Sequence, residues 1–249
     1  MRHLQCQARY CARASMLQIT FIFFYVFLFF SMQTIKIDFV SDIACPWCAV
    51  GLASLREAID KVKDEIAVEL HFQPFELNPA MPLEGEDVVE HLSKKYRMTA
   101  EQVAQNQAHI RQRGAEAGFT FNMNGRTRIY NTFDAHRLLH WAEVEVGAEA
   151  QHKLKWALLE TYFTLGQNPS HHADLLFAVT RAGLDEKRAA VILQDDIYHA
   201  EVRAQEKFYT QQGISSVPSV IFNDQHLLQG GQPAAMFEQA IREIAASSA

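Results

Sequence analysis

Cys45-Pro46-Trp47-Cys48 sets two thiols three residues apart, a spacing at which a cysteine pair can close into one disulfide and open again. That chemistry needs a thiolate nucleophile and a second sulfur within its reach. The same spacing is also half of a tetrahedral zinc set, and two buried, inert thiols are the bland alternative. The flanking residues bear on the choice. Ile35 to Val40 alternate apolar and polar residues like a strand, and Ser41-Asp42 offers turn and capping chemistry. Cys48, Leu52, Leu55, Ile59 and Val62 then recur every three or four residues, which is one face of a helix. The pair therefore lies where a strand hands over to a helix.

At a helix start the first backbone N–H groups lack intrahelical acceptors, and with the macrodipole they favour negative charge. Cys45 occupies that position, so its thiolate is expected to form below the pKa of a free thiol and to be the attacking sulfur. Cys48, one turn further in, falls on the apolar stripe and is expected to be shielded and to resolve the mixed disulfide. Pro46 suits the first helical position, where its missing N–H costs nothing. Placement at a strand–helix junction favours the redox reading over inert thiols. Zinc is disfavoured because no second Cys-x-x-Cys exists and Cys6 and Cys11 are separated by four residues, so no metal site is expected.

Far along the chain, Gly213-Ile214-Ser215-Ser216-Val217-Pro218-Ser219 leads into Val220-Ile221-Phe222, then Asn223-Asp224 and Leu227-Leu228. A proline opening a β-branched and aromatic run, an Asn-Asp turn and a second short run read as a hairpin. After Gly230-Gly231, Pro233 opens a terminal helix with Phe237, Ala240, Ile241 and Ile244 on one face. On its own, Pro218 could be an ordinary strand-opening proline.

Taken together, Cys-Pro-Trp-Cys after a strand and Val-Pro before a late hairpin and helix resemble the thioredoxin-fold DsbA superfamily. The FrnE-like branch of DsbA-family oxidoreductases is the closer likeness. It is carried by Ser41 to Cys48, Phe75-Glu76-Leu77-Asn78-Pro79, Asn131-Thr132-Phe133-Asp134-Ala135-His136-Arg137-Leu138 and Gly213 to Ser219, over residues 35 to 245. The resemblance implies an α/β thioredoxin-like fold and a cis bond before Pro218, which would pack beside the active-site sulfurs. Such a bond leaves the Val217 backbone free to pair with an extended substrate. It also implies two rivals on the same scaffold, the glutathione-dependent hydroxychromene-carboxylate isomerases and kappa-class transferases. Those relatives typically carry serine where Cys45 stands and lack the second thiol. A chaperone-like binding protein without turnover is a rival from another class.

Between the two sheet-forming segments the periodicity is helical. After a second strand at Val68 to Phe72, Pro79 and Pro82 mark a loop. Helices are expected at about 86–97, 100–117, 132–146, 148–165, 172–182, 186–193 and 197–212. Asn131 or Thr132 would cap one start, Thr99 with Gln102 would form a capping box, and Gly147 and Gly183 would stop helices. The expected organisation is a thioredoxin-like domain in two parts, 34–78 and 213–249, split by an all-helical insertion at 79–212.

Residues 1–33 fit poorly with this. Arg2, Arg9 and Arg13 precede an apolar run, Ile19 to Phe30, that copies a signal peptide without a convincing cleavage site and is short for a membrane span. A true start at Met32 and a cytoplasmic protein are expected, with export or membrane anchoring through residues 16–31 as the alternative. Past residue 33 the only cysteines are Cys45 and Cys48, which suits a reducing compartment. A net charge of −6 without a basic stripe argues against nucleic acid as partner.

Other residues invite chemistry less strongly. His136 either faces the active-site groove and touches substrate or is a satisfied helix residue, the second being favoured. His171-His172 reads as a solvated helix start, and Trp141, Trp156, Tyr162 and Phe163 as core. Trp47 packs on the helix or meets an apolar substrate. The expected function is thiol-disulfide exchange at Cys45 and Cys48, with Pro46, Trp47, Val217 and Pro218 contacting substrate. The dithiol carries the electrons, so no organic cofactor is needed. Partners are thiol or disulfide substrates, glutathione among the candidates.

Overall fold

A computed structural model describes residues 33–247, so the expectations about a start, signal or anchor in residues 1–31, and Cys6 and Cys11, lie outside the described residues. Gln33, assigned above to the extension, already belongs to the first strand. In chain order the elements are β1 (Gln33–Ser41), α1 (Pro46–Val62), β2 (Ile66–Pro74), β3 (Glu86–Asp87), α2 (Val88–Tyr96) and α3 (Ala100–Glu116). There follow β4 (Arg128–Ile129), α4 (Phe133–Trp141) with a π-helical turn (Ala142–Val146), α5 (Ala148–Phe163), α6 (His172–Arg181), α7 (Glu186–Gln194) and α8 (His199–Gln211). β5 (Ser219–Phe222), β6 (His226–Gln229) and α9 (Ala234–Ser247) close the fold.

The main sheet has the order β2-β1-β5-β6, so its strands come from both ends of the described chain. β1 pairs in parallel with β2 from Gln33–Ile66 to Ser41–Pro74, and this continuous register extends the second strand beyond the expected Val68–Phe72. β5 runs antiparallel to β1, and the Asn223-Asp224 turn, both residues at positive φ, returns it as β6.

Strand periodicity divides β1 between two layers. Ile35, Ile37 and Phe39 join the main core with Leu52 and Leu55 of α1 and Phe237 and Ile241 of α9. Val40 turns instead to a smaller cluster with Phe75, Tyr209 of α8 and Ile214. Each large side chain removed from water contributes roughly 1.5–3 kcal/mol, so the central strand is anchored on both faces.

The helical stretch closely follows the expected spans. Thr99 and Gln102 form the capping box, and Gly147 and Gly183 end their helices at positive φ. At α4 the detail differs. Thr132 is the cap residue, but its hydroxyl donates to Asp42 Oδ1, and the Asn131 side chain accepts the Phe133 N–H instead. The insertion at 79–212 is not all-helical: Glu86-Asp87, expected in a helix, form β3 and pair with β4, which periodicity misses because two residues per strand leave no period to read. No helix among the described residues is long and apolar enough to cross a membrane.

One close approach joins the ends of the fold. A Cβ at Gly51 would lie 3.1 Å from Pro218 Cγ and 3.3 Å from Gly231 Cα, so the Val217–Pro218 loop rests on α1 because residue 51 has no side chain.

Candidate active site

Cys45 is the residue before the first helical position, in extended conformation, and Pro46 follows inside the helix. Its N–H donates to Asp42 O at 3.3 Å and its carbonyl accepts the Cys48 N–H at 3.1 Å, which closes the turn carrying both sulfurs. Both cysteines are thiols. Cys45 is 4% exposed and Cys48 fully buried.

Only Cys45 reaches a cavity of about 740 Å³, which it lines together with Pro46, Trp47 and Val217. The Cys45 thiol donates to Val217 O at 3.5 Å, and the Val217–Pro218 bond is cis. Pro218 stands just behind that wall against Gly51. Trp47 packs its ring against His109 of α3 at 5.6 Å between centroids. Five of the sequence-predicted residues are thus brought together around Cys45.

The environments of the two sulfurs differ. A hydrogen bond from the Cys48 side chain is the largest influence on Cys45 and, with the Cys48 and Trp47 N–H groups, holds its thiol below the ordinary range against burial and the Asp42 charge. Burial is the largest influence on Cys48 and pushes it well up; negative charge on Cys45 adds to this and the Lys155 charge opposes it.

His136 is placed differently from the groove-facing alternative. It is 2% exposed, lines no part of the cavity, and sets Nε2 3.7 Å from Asp42 Oδ1. Position 136 on α4 faces the interior, where the ring meets Asp42 rather than the cavity. Trp141, Tyr162 and Phe163 are core residues as expected, whereas Trp156 is half-buried under the Arg56 guanidinium, 4.1 Å from its ring centroid. His172 opens α6, where it meets Asp134 at 3.1 Å.

Four residues that sequence reasoning missed complete the site. Asp42 is buried and accepts the Ala44 N–H at 3.0 Å, the Leu77 N–H at 2.7 Å and the Thr132 hydroxyl at 2.7 Å. Burial alone would raise its pKa, but His136 and these N–H groups outweigh that and hold it below the ordinary value. Lys155 of α5 is fully buried, its Nζ without a hydrogen bond and 5.8 Å from the Phe72 ring centroid. Burial brings it down from 10.5 to about 8 against the pull of Cys48, Asp42 and Cys45. Arg126 and Lys95 line the cavity. A signal for Lys155 exists, since Gln151, Leu154, Lys155, Leu158 and Tyr162 share a helical stripe that is otherwise core. Arg126 lies in a loop and gives none.

Among the described residues no group of three His, Cys, Asp or Glu side chains could hold a metal ion. The DSBA-like thioredoxin domain family matches residues 36–242. YwbO of Bacillus subtilis strain 168 is 29% identical over 213 residues, covering 85% of this chain and 98% of YwbO. The crystal structure of a probable DsbA oxidoreductase from Streptomyces coelicolor superposes with a TM-score of 0.77 at 29% identity, over 86% of this chain and 91% of that one. A 2-hydroxychromene-2-carboxylate isomerase shares the fold, with a TM-score of 0.64 at 13% identity over 86% and 97% of the two chains.

Proposed function

The chain belongs to the DSBA-like thioredoxin domain family, and on that premise we propose that it is a thiol-disulfide oxidoreductase with Cys45 as the exchanging sulfur and Cys48 as the resolving one. The observation that supports this most is the contrast between them. One sulfur lines a cavity with its pKa held below the ordinary thiol range, and its partner one turn away is sealed in the core with its pKa pushed up by burial.

In the reducing direction the Cys45 thiolate attacks a substrate disulfide and expels one thiolate, leaving a mixed disulfide at residue 45. Cys48 then gives up its proton and attacks Cys45, releasing the second substrate sulfur and closing the protein disulfide. The positive charge of Lys155 favours the ionised Cys48 that this step requires. Val217 presents its backbone beside Cys45 while Pro46 and Trp47 form the adjacent wall. Electron flow follows the potential of the pair relative to its compartment, and glutathione is one candidate partner.

The FrnE-like branch and a cytoplasmic setting are part of this reading. They rest on the four segments quoted above and on the absence of further cysteines after residue 33. A glutathione-dependent isomerase or transferase would use the same scaffold, and the intact cysteine pair favours redox work over that alternative. The test is reduction of insulin disulfides by the full chain. Wild type should turn over and Cys45→Ser should fall to background; equal rates for the two would refute the assignment.

A further inference from the structure

The cavity in front of Cys45 differs in charge from the chain that builds it. Acidic residues outnumber lysine and arginine by 29 to 23 in the sequence, yet no Asp or Glu lines the cavity, while Lys95, Arg126 and His91 do. Arg126 is 5% exposed and has no carboxylate partner among the described residues. Its Nε donates to Tyr162 Oη at 2.9 Å and its Nη2 to Ala44 O at 3.4 Å, leaving Nη1 without a hydrogen bond. The guanidinium rests over the Tyr162 and Phe163 rings, 5.1 Å from each centroid, so it is held in place without a counter-ion and keeps a donor that an anion can take.

A second group of donors stands on the α2 side. Lys95 Nζ donates to Leu77 O at 2.9 Å and to Asn78 Oδ1 at 2.7 Å, and the same Asn78 oxygen meets His91 Nε2 at 3.1 Å. With its oxygen engaged, Asn78 has only its amide donors to offer the cavity. His91 is matched by Glu86 at 2.6 Å, outside the cavity, but Lys95 has no acidic partner among the described residues. The Cys45 thiolate does not call for these cations, since Cys48 and the backbone N–H groups of the first helical turn serve it.

We infer that Lys95 with Asn78, and Arg126, recognise the carboxylates of a small anionic disulfide or thiol whose sulfur meets Cys45. A partly enclosed space of about 740 Å³ is of the size that small-molecule sites occupy. The inference rests on the oxidoreductase reading. Its step balances as dithiol plus R–S–S–R giving protein disulfide plus two R–SH: the dithiol loses two electrons and two protons, and both pass to the substrate sulfurs. No further reductant enters a single turnover.

The experiment mixes the reduced full chain with glutathione disulfide, which carries carboxylates, or with neutral hydroxyethyl disulfide, and follows oxidation by tryptophan fluorescence. Wild type should favour the anionic disulfide after correction for the two reagents' intrinsic reactivity. Lys95→Met should lower that ratio about tenfold, since a charge-assisted hydrogen bond is lost. Arg126→Lys, which keeps the charge in case a larger change prevents folding, should lower it less. Binding of the unreactive thioether S-methylglutathione should weaken in parallel. A ratio unmoved by Lys95→Met overturns the anion site while leaving the exchange intact; failure of both disulfides to oxidise the pair overturns the oxidoreductase reading itself.

Discussion

Lys155, whose charge reaches Cys48, is sealed in the core with no hydrogen bond to its ammonium group, whereas Lys95 bonds Leu77 O and Asn78 Oδ1 at the wall of the cavity that Cys45 lines. The two lysines belong to the surroundings of one redox pair under opposite conditions, one in the core and one at the cavity lining. Burial lowers the proton affinity of both, but only Lys155 is brought down to about 8. A charge in the core keeps its influence on nearby groups because no water screens it, and it costs stability for the same reason. The cation at the wall acts weakly on its surroundings and is free to meet a ligand.

The largest expected effect follows from that cost. Lys155 titrates at about 8 when folded and 10.5 when unfolded. Between those values the unfolded chain holds more protons, so stability rises with pH through this window, and the full penalty is present below it. Lys155→Met should raise unfolding stability at pH 7 by about 3 kcal/mol and remove the wild-type rise between pH 8 and 10.5, measured by urea denaturation. It should also slow resolution of the mixed disulfide, because Cys48 loses the cation that favours its thiolate. A variant less stable than wild type would mean the ammonium is paired, and the contrast between the lysines would fail.

Asp42 lies between the two regions and provides the next test. Its folded pKa is held below the ordinary 3.8, so its contribution is complete above 3.8 and is lost as pH falls through the lower folded value. Asp42→Asn should cost about 2 kcal/mol at neutral pH through its weakened bonds to Leu77, Ala44 and Thr132. The same change should make Cys45 more acidic, because the carboxylate opposes its ionisation. Urea denaturation and alkylation rates against pH read the two effects separately.

A buried carboxylate with a partner sharpens the comparison and should show the smallest effect. Glu76 pairs with Arg203, which also holds Glu206, yet burial first and the Glu206 charge second raise Glu76 to about 7. Between 4.5 and 7 the folded chain holds the extra proton, so stability falls as pH rises through that range. Glu76→Gln should remove the fall and gain about 1 kcal/mol at pH 8, net of its weakened bond to Arg203. Thermal unfolding at pH 5 and pH 8 checks it.

These charged residues also mark the limit of what can be read from the amino acids alone. Helix α1 is legible because Cys48, Leu52, Leu55 and Val62 keep a helical period, and the β5–β6 hairpin because Asn223-Asp224 announces its turn. The cysteine pair, Pro46, Trp47 and Val217 are legible through their local neighbours. Arg126 and Lys95 are not. Their approach to Cys45 depends on how α2, α3 and the loop before β4 fold over the start of α1, which no local pattern encodes. Lys155 breaks a core stripe and is visible in principle, but a single charge in an apolar period usually reads as a helix edge. His136 shows the converse, since a histidine in a family-like segment suggests chemistry while its position on α4 buries it beside Asp42.

The central claim is that two sulfurs one helical turn apart ionise very differently. It is tested most directly in the intact dithiol, because the Cys48 side chain is the largest influence on Cys45 and a single-cysteine variant would remove it. Thiolate absorbance at 240 nm should show a first ionisation below the free-cysteine value of about 8.5, and iodoacetamide with peptide mapping should place it on Cys45. Cys48 should stay protonated well above that pH. A first ionisation at or above 8.5, or label appearing first on Cys48, would contradict the account.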